Sequence, residues 1–222
     1  MSSEIRPDDL LIERLAGSLR PVRRRRPWLE MAVLGALFGV ELALLLGAGH
    51  MRIDMPHAMG MPSFWWKLAG LTAIIAISST TALLSLDPTR SPRLGLRVIV
   101  LTVLAVLVAG WGVDAAQTAW LTGGETLWRR LAPQSGLRCT RTIVELAVPV
   151  AIALGVLMRR GASVDLAGSA WAAGISASGW GALAFAFACP FDDPLYLAVW
   201  YGVAFGIVTI GSRLLLPLIL RW

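Results

Sequence analysis

The chain has 222 residues, of which 56 % are hydrophobic, and a mean hydropathy of +0.68. That is too apolar for an ordinary soluble domain and excludes an intrinsically disordered chain. A net charge of +6 would suggest nucleic acid in a soluble protein, but here it belongs to the ends and loops of membrane helices, with no direct nucleic-acid contact expected.

The N-terminal segment, "IRPDDLLIERLAGSLRPVRRRRPW", divides into two parts. Asp8 to Leu19 reads as a short helix, with Asp8 or Asp9 available to cap it and Leu11, Ile12, Leu15 and Leu19 along one side. Pro21 stops it, and an arginine run follows from Arg23 to Arg26. A helix this short is marginal in water and needs a surface. Two surfaces fit: the anionic leaflet of a membrane, or a soluble partner.

A hydrocarbon core about 30 Å thick needs about 20 apolar residues per helix. Windows near 29–49, 64–86, 95–113, 139–158, 164–188 and 195–216 meet that length. The expected fold is therefore all-α: a polytopic six-transmembrane-helix bundle (29–222) preceded by a short cytoplasmic N-terminal segment (1–28). No cleavable leader is read ahead of the first span. Six spans put both termini on one side, and fourteen of the twenty basic residues fall there. Both termini are expected in the cytoplasm of a bacterial inner membrane.

Small residues recur every fourth position in three spans. Gly35, Gly39, Ala43 and Gly47 lie in the first, Ser169, Ala173, Ala177 and Gly181 in the fifth, and Gly202 and Gly206 in the sixth. All three sets are expected to pack helix on helix. Trp28, Trp65, Trp66, Trp111 and Trp222 are expected at the membrane interfaces.

Charged residues within spans are the first candidates for function. Glu41 and Glu145 are the deepest, and Arg141 stands four residues before Glu145, where the two can pair. Two carboxylates without an intramembrane histidine are a thin basis for an ion pathway, so a small inner-membrane metal or solute transporter is the alternative reading. No P-loop, GxSxG, HExxH or CxxC is present, so no enzyme is expected.

Both cysteines fall on the outer side. Cys139 begins the fourth span, and Cys189 ends the fifth within "ACPFDDPLYLAVWYG". Pro190 and Pro194 bracket a tight turn there, with Asp192 and Asp193 expected in water. Two thiols on one face can form a disulfide, bind a soft metal, or simply fill space. The first outer loop, "GHMRIDMPHAMGMPSF", adds a weaker metal-ligand set: His50, His57, Met51 and Met55, beside Met59 and Met61. No resident cofactor is required; a soft or heavy metal ion is a candidate signal.

In "LIERLAGSLRPVRR" (11–24), the cysteine opening the fourth span, the "CPFDDPLYLAVWYG" corner and the terminal "LRW", the chain resembles the NrsF family, negative regulators of sigma factor F. The resemblance runs over essentially the whole chain. It implies a six-span inner-membrane anti-sigma factor whose partner is an extracytoplasmic-function sigma factor. It also implies that Cys139 and Cys189 are the pair that senses metal or oxidative stress. Leu11, Leu15 and Leu19, with Arg159 and Arg160 in the short "RRGASVD" loop, are the residues expected to contact sigma. The oligomeric state is left open.

Overall fold

A computed structural model describes residue 17 and residues 26–118, 127–161 and 163–219. Of the expected N-terminal helix only Gly17 is described; Leu11, Leu15 and Leu19 lie outside the described residues, as do residues 119–126 and the terminal Trp222. Among the described residues the structure is helical, with no strand. Six long helices stand where six spans were expected: α1 (Pro27–Gly47), α3 (Pro62–Leu84), α4 (Arg93–Thr118), α6 (Pro133–Arg159), α7 (Leu166–Ala186) and α8 (Pro194–Ile219). Two short helices, α2 (Met55–Ala58) and α5 (Leu127–Leu131), lie in the connections before α3 and α6.

Proline opens α1, α3, α6 and α8. Its fixed φ suits the first helical position, where the missing N–H has no intrahelical partner in any case. α7 starts differently: the Asp165 carboxylate accepts from the Gly168 N–H at 2.9 Å, satisfying one orphan donor of the first turn.

Five of the long helices, all but α7, are long and apolar enough to cross a membrane. α4 turns Leu94, Leu101, Leu104, Val108 and Trp111 outward, and α8 does so with Ile207, Ile210, Leu214 and Leu215. An exterior this apolar is compatible with a surrounding bilayer. α7 misses the hydropathy level because it is built of Ala, Gly and Ser, and its position explains that composition. Fourteen of its 21 residues are buried, since α1, α3, α6 and α8 all pack on it. A helix enclosed by protein needs small side chains more than it needs lipid solubility.

The close approaches run through α7. A Cβ on Gly174 would stand 2.7 Å from the Thr209 Cα of α8, and one on Gly181 would stand 2.8 Å from the Ala147 N and Ile143 O of α6. Ser79 and Ser176 hydroxyls meet at 2.7 Å between α3 and α7, and the Trp180 indole donates to Ser79 at 3.2 Å. Phe38 of α1 packs on Trp180 with the rings tilted 49° and their centres 5.2 Å apart.

This corrects two expectations. The small-residue set of α7 does pack, but a Cβ on Gly35, Gly39, Gly47, Gly202 or Gly206 would meet nothing within 4 Å. In α1 it is the opposite side, with Leu34, Leu37 and Phe38, that turns to the bundle. A spacing of four marks a stripe along a helix but does not say which stripe faces in. Trp28, Trp65 and Trp111 are exposed, and the Trp66 indole turns to α4 and donates to Val106 O at 3.0 Å.

Candidate functional site

Cys139 sits in the second turn of α6, and Cys189 follows the end of α7, where its N–H donates to Phe185 O at 2.9 Å before Pro190 ends the helical path. Fifty residues apart in sequence, their sulfurs lie 3.8 Å apart as free thiols. They are 5 % and 0 % exposed. The Tyr196 hydroxyl donates to Cys139 Sγ at 3.1 Å, and its ring stacks on Phe191, whose carbonyl lies 3.7 Å from Cys189 Sγ. The pair thus sits in an apolar pocket with one phenol aimed at one sulfur.

The neighbouring backbone is held by tryptophan. Gly136, one turn before Cys139, leaves room for the Trp200 ring of α8. The Trp200 indole donates to Leu131 O at 2.8 Å, while Thr140 donates to Trp200 O at 3.1 Å. These bonds tie the start of α6 to α8 beside the cysteine.

A charged lid closes the pocket from the connection between α1 and α3. The Arg52 guanidinium reaches Asp54 at 2.8 and 2.7 Å, Asp192 at 2.7 Å and Pro190 O at 3.1 Å, and the Arg52 backbone N–H donates to Phe187 O at 3.2 Å. Lys67 of α3 binds the same Asp192 carboxylate, as well as Phe191 O at 3.4 Å. Phe64 lies under both cations, 5.8 and 5.6 Å from the ring centre. On the far side, Arg130 binds Asp193 at 2.8 and 3.0 Å and Asp114 at 2.6 Å. Asp193 Oδ1 also accepts the Leu195 N–H at 2.8 Å at the start of α8. The two aspartates expected in water are therefore structural: Asp192 is 12 % exposed and bridges two cations.

Electrostatics follow this layout. The Cys189 thiol is brought below its ordinary value, because Cys139 donates toward it and the Lys67 charge faces it, against the opposing effect of burial. Hydrogen bonds from Arg52 hold the Asp54 carboxylate down at about 2, and the same contacts hold the Arg52 proton more tightly than usual.

The weaker metal-ligand set stays on the connection between α1 and α3. His50, His57 and Met51 are exposed, and Met55 is buried against Ala58 and Phe64 in a cluster separate from the cysteines. Among the described residues no group of three or more His, Cys, Asp or Glu is placed to hold a metal ion. Arg159 and Arg160 are exposed where α6 ends, 20 residues beyond Cys139 and so about 30 Å away along the helix. Glu145 is paired with Arg141 at 2.7 Å on an exposed face. Glu41 is buried, and neither carboxylate oxygen has a partner among the described residues.

Sequence reading missed Arg52, Lys67, Asp192 and Tyr196. Lys67 carried a usable signal, a cation one turn into an apolar span. Tyr196 carried another: the chain has only two tyrosines, and both follow the Cys–Pro corner.

The family model described as "Negative regulator of sigma F" matches residues 15–222. The chain belongs to the NrsF family. The anti-sigma-F factor NrsF of Caulobacter vibrioides is 29 % identical to this NrsF-family chain over 214 residues, covering 93 % of this chain and 94 % of the relative. No solved structure matches. The family is regulatory.

Proposed function

We propose that this NrsF-family protein is a non-enzymatic, six-span inner-membrane anti-sigma factor. It holds an extracytoplasmic-function sigma factor at its cytoplasmic face and releases it when Cys139 and Cys189 respond to metal or oxidative stress. The observation that carries the reading is the 3.8 Å approach of two free, buried thiols donated by elements fifty residues apart. Disulfide formation needs sulfurs about 2.0 Å apart, so it draws α6 toward the corner between α7 and α8; a soft ion bound between them sets a different spacing. Either event favours one arrangement of the bundle over another, and only that difference in free energy is available to move the cytoplasmic ends. Arg159 and Arg160 on the loop joining α6 to α7 would carry the change to sigma, with Leu11, Leu15 and Leu19 as the docking stripe.

The test is sigma-dependent transcription in cells carrying Cys139→Ser with Cys189→Ser, measured with and without metal or oxidant. Loss of induction with repression intact is expected; normal induction sinks the sensing reading. Deleting residues 1–20 is expected to release sigma constitutively. The transporter alternative is favoured only by the unpartnered Glu41 carboxylate. It requires that Glu41→Gln abolish solute uptake into vesicles.

A further inference from the structure

A cavity of about 370 Å³ lies among α3, α4, α7 and α8. Along α8 it runs from Leu197 to Thr209, about 18 Å of helix. Its lining is almost wholly apolar, with Trp66 and Phe205 in its walls, and Gly202 and Gly206 leave open space where side chains would stand. Gly202 is exposed, so the cavity opens to the apolar exterior of the bundle.

Polar groups gather at the Thr209 end. Thr209 lines the cavity at 4 % exposure, and its hydroxyl has no hydrogen-bond partner among the described residues. A buried hydroxyl left unpaired is costly, so this donor calls for an acceptor. Arg213 follows one turn later on the same stripe, since positions 202, 206, 209 and 213 are spaced by four, three and four. It lies inside the apolar run Pro194–Leu218, and no carboxylate among the described residues pairs with it. A cation at such a depth is expensive unless an anion or a polar boundary meets it. On α7, Gly174 packs against Thr209 and Ser212, which brings Trp171, one turn nearer the start of that helix, to this end of the cavity. Trp171 is 41 % exposed, as an indole at a headgroup boundary is expected to be.

We propose that this cavity holds one acyl chain of an anionic phospholipid, with the phosphate on Arg213 and a glycerol ester carbonyl accepting from the Thr209 hydroxyl. Thr209 and Arg213 are about 6 Å apart along α8, an offset that suits the ester carbonyls and the phosphate of one lipid. The apolar length beyond Thr209 is comparable to one leaflet, half of a hydrocarbon core about 30 Å thick. A bare hydrocarbon would fill the volume but bring neither acceptor nor anion. A helix of a second copy, about 10–12 Å across, is too wide to enter. In the topology proposed above this end of α8 is cytoplasmic, so the lipid comes from the inner leaflet, where basic residues beside a crevice between membrane helices take anionic headgroups. The site is independent of the thiol reading.

The experiment uses the full chain in uncharged detergent, titrated with dioleoylphosphatidylglycerol or with dioleoylphosphatidylcholine, and retained lipid is counted by native mass spectrometry. One phosphatidylglycerol per chain, held about tenfold or more tighter than phosphatidylcholine, is expected. Arg213→Gln should bring the two lipids level, and Arg213→Lys should keep the preference. Thr209→Val should weaken phosphatidylglycerol about threefold or more. Gly202→Leu with Gly206→Leu, which meet open space and so leave the fold intact, should weaken both lipids about tenfold or more. Equal retention of the two lipids by the native chain overturns the proposal, as does unchanged phosphatidylglycerol retention in the Arg213→Gln or the filled variant. A dimer that excludes the lipid and is lost in the filled variant also overturns it, by giving the groove to a second copy.

Discussion

Arg52 and Asp192 are 140 residues apart in sequence, yet the guanidinium donates to the carboxylate at 2.7 Å, with both side chains largely out of solvent. This ion pair fastens the first connection over the cysteine pocket. Removing Arg52 leaves Asp192 paired with Lys67 alone and Asp54 without its cation, so the loss should fall below the about 3–5 kcal/mol of a fully unpaired buried ion. Arg52→Gln should therefore lower the thermal stability of the purified protein and speed maleimide labelling of Cys189. Unchanged labelling would show that the lid does not guard the thiols.

The lid also has a predictable acid limit. Asp54 sits at about 2 against an ordinary 3.8, so its contribution is fully present above about pH 4 and is lost as pH falls through about 2. Protection of the 50–61 amides, corrected for intrinsic exchange, should stay constant from pH 7 to pH 5. A drop within that window would point to another titrating group.

Cys189 should react at neutral pH. With its thiol held below the ordinary value chiefly by the bond from Cys139, the alkylation rate should rise with a midpoint below that of a free thiol, and Cys139→Ala, which removes that donor, should move the midpoint up. Stopped-flow labelling across pH 5–10 tests this in the Arg52→Gln background, where access is not limiting. An unshifted midpoint would separate the two thiols electrostatically.

Glycines that look alike in sequence should respond differently to alanine. Gly181→Ala forces a Cβ against the backbone of Ile143 and Ala147 and should cost about 1–3 kcal/mol. Gly39→Ala meets open space and should leave stability unchanged or raise it by up to about 1 kcal/mol. Thermal unfolding of the two variants in the same detergent gives the comparison, and equal losses would contradict the packing of α7.

Glu41 is buried with no hydrogen-bond partner among the described residues, so it should cost stability. Glu41→Leu should raise the unfolding temperature while sigma-dependent repression persists. Lost repression would give the carboxylate a functional role.

Much of this protein was legible from its sequence. Six apolar windows marked the six long helices, because helix length and composition are local quantities, and the Cys–Pro corner and the cysteine opening the fourth span pointed to one face. Tertiary structure alone decided which stripe of each helix turns inward. Gly35 and Gly181 share the same four-residue spacing, yet one meets open space and the other meets backbone. It alone brought Arg52, Lys67 and Asp192 around Cys189, because ion pairs across 125 to 140 residues leave no periodicity to read. The physical reason is the same in both cases: a helix forms from its own residues, whereas the face it buries depends on its neighbours.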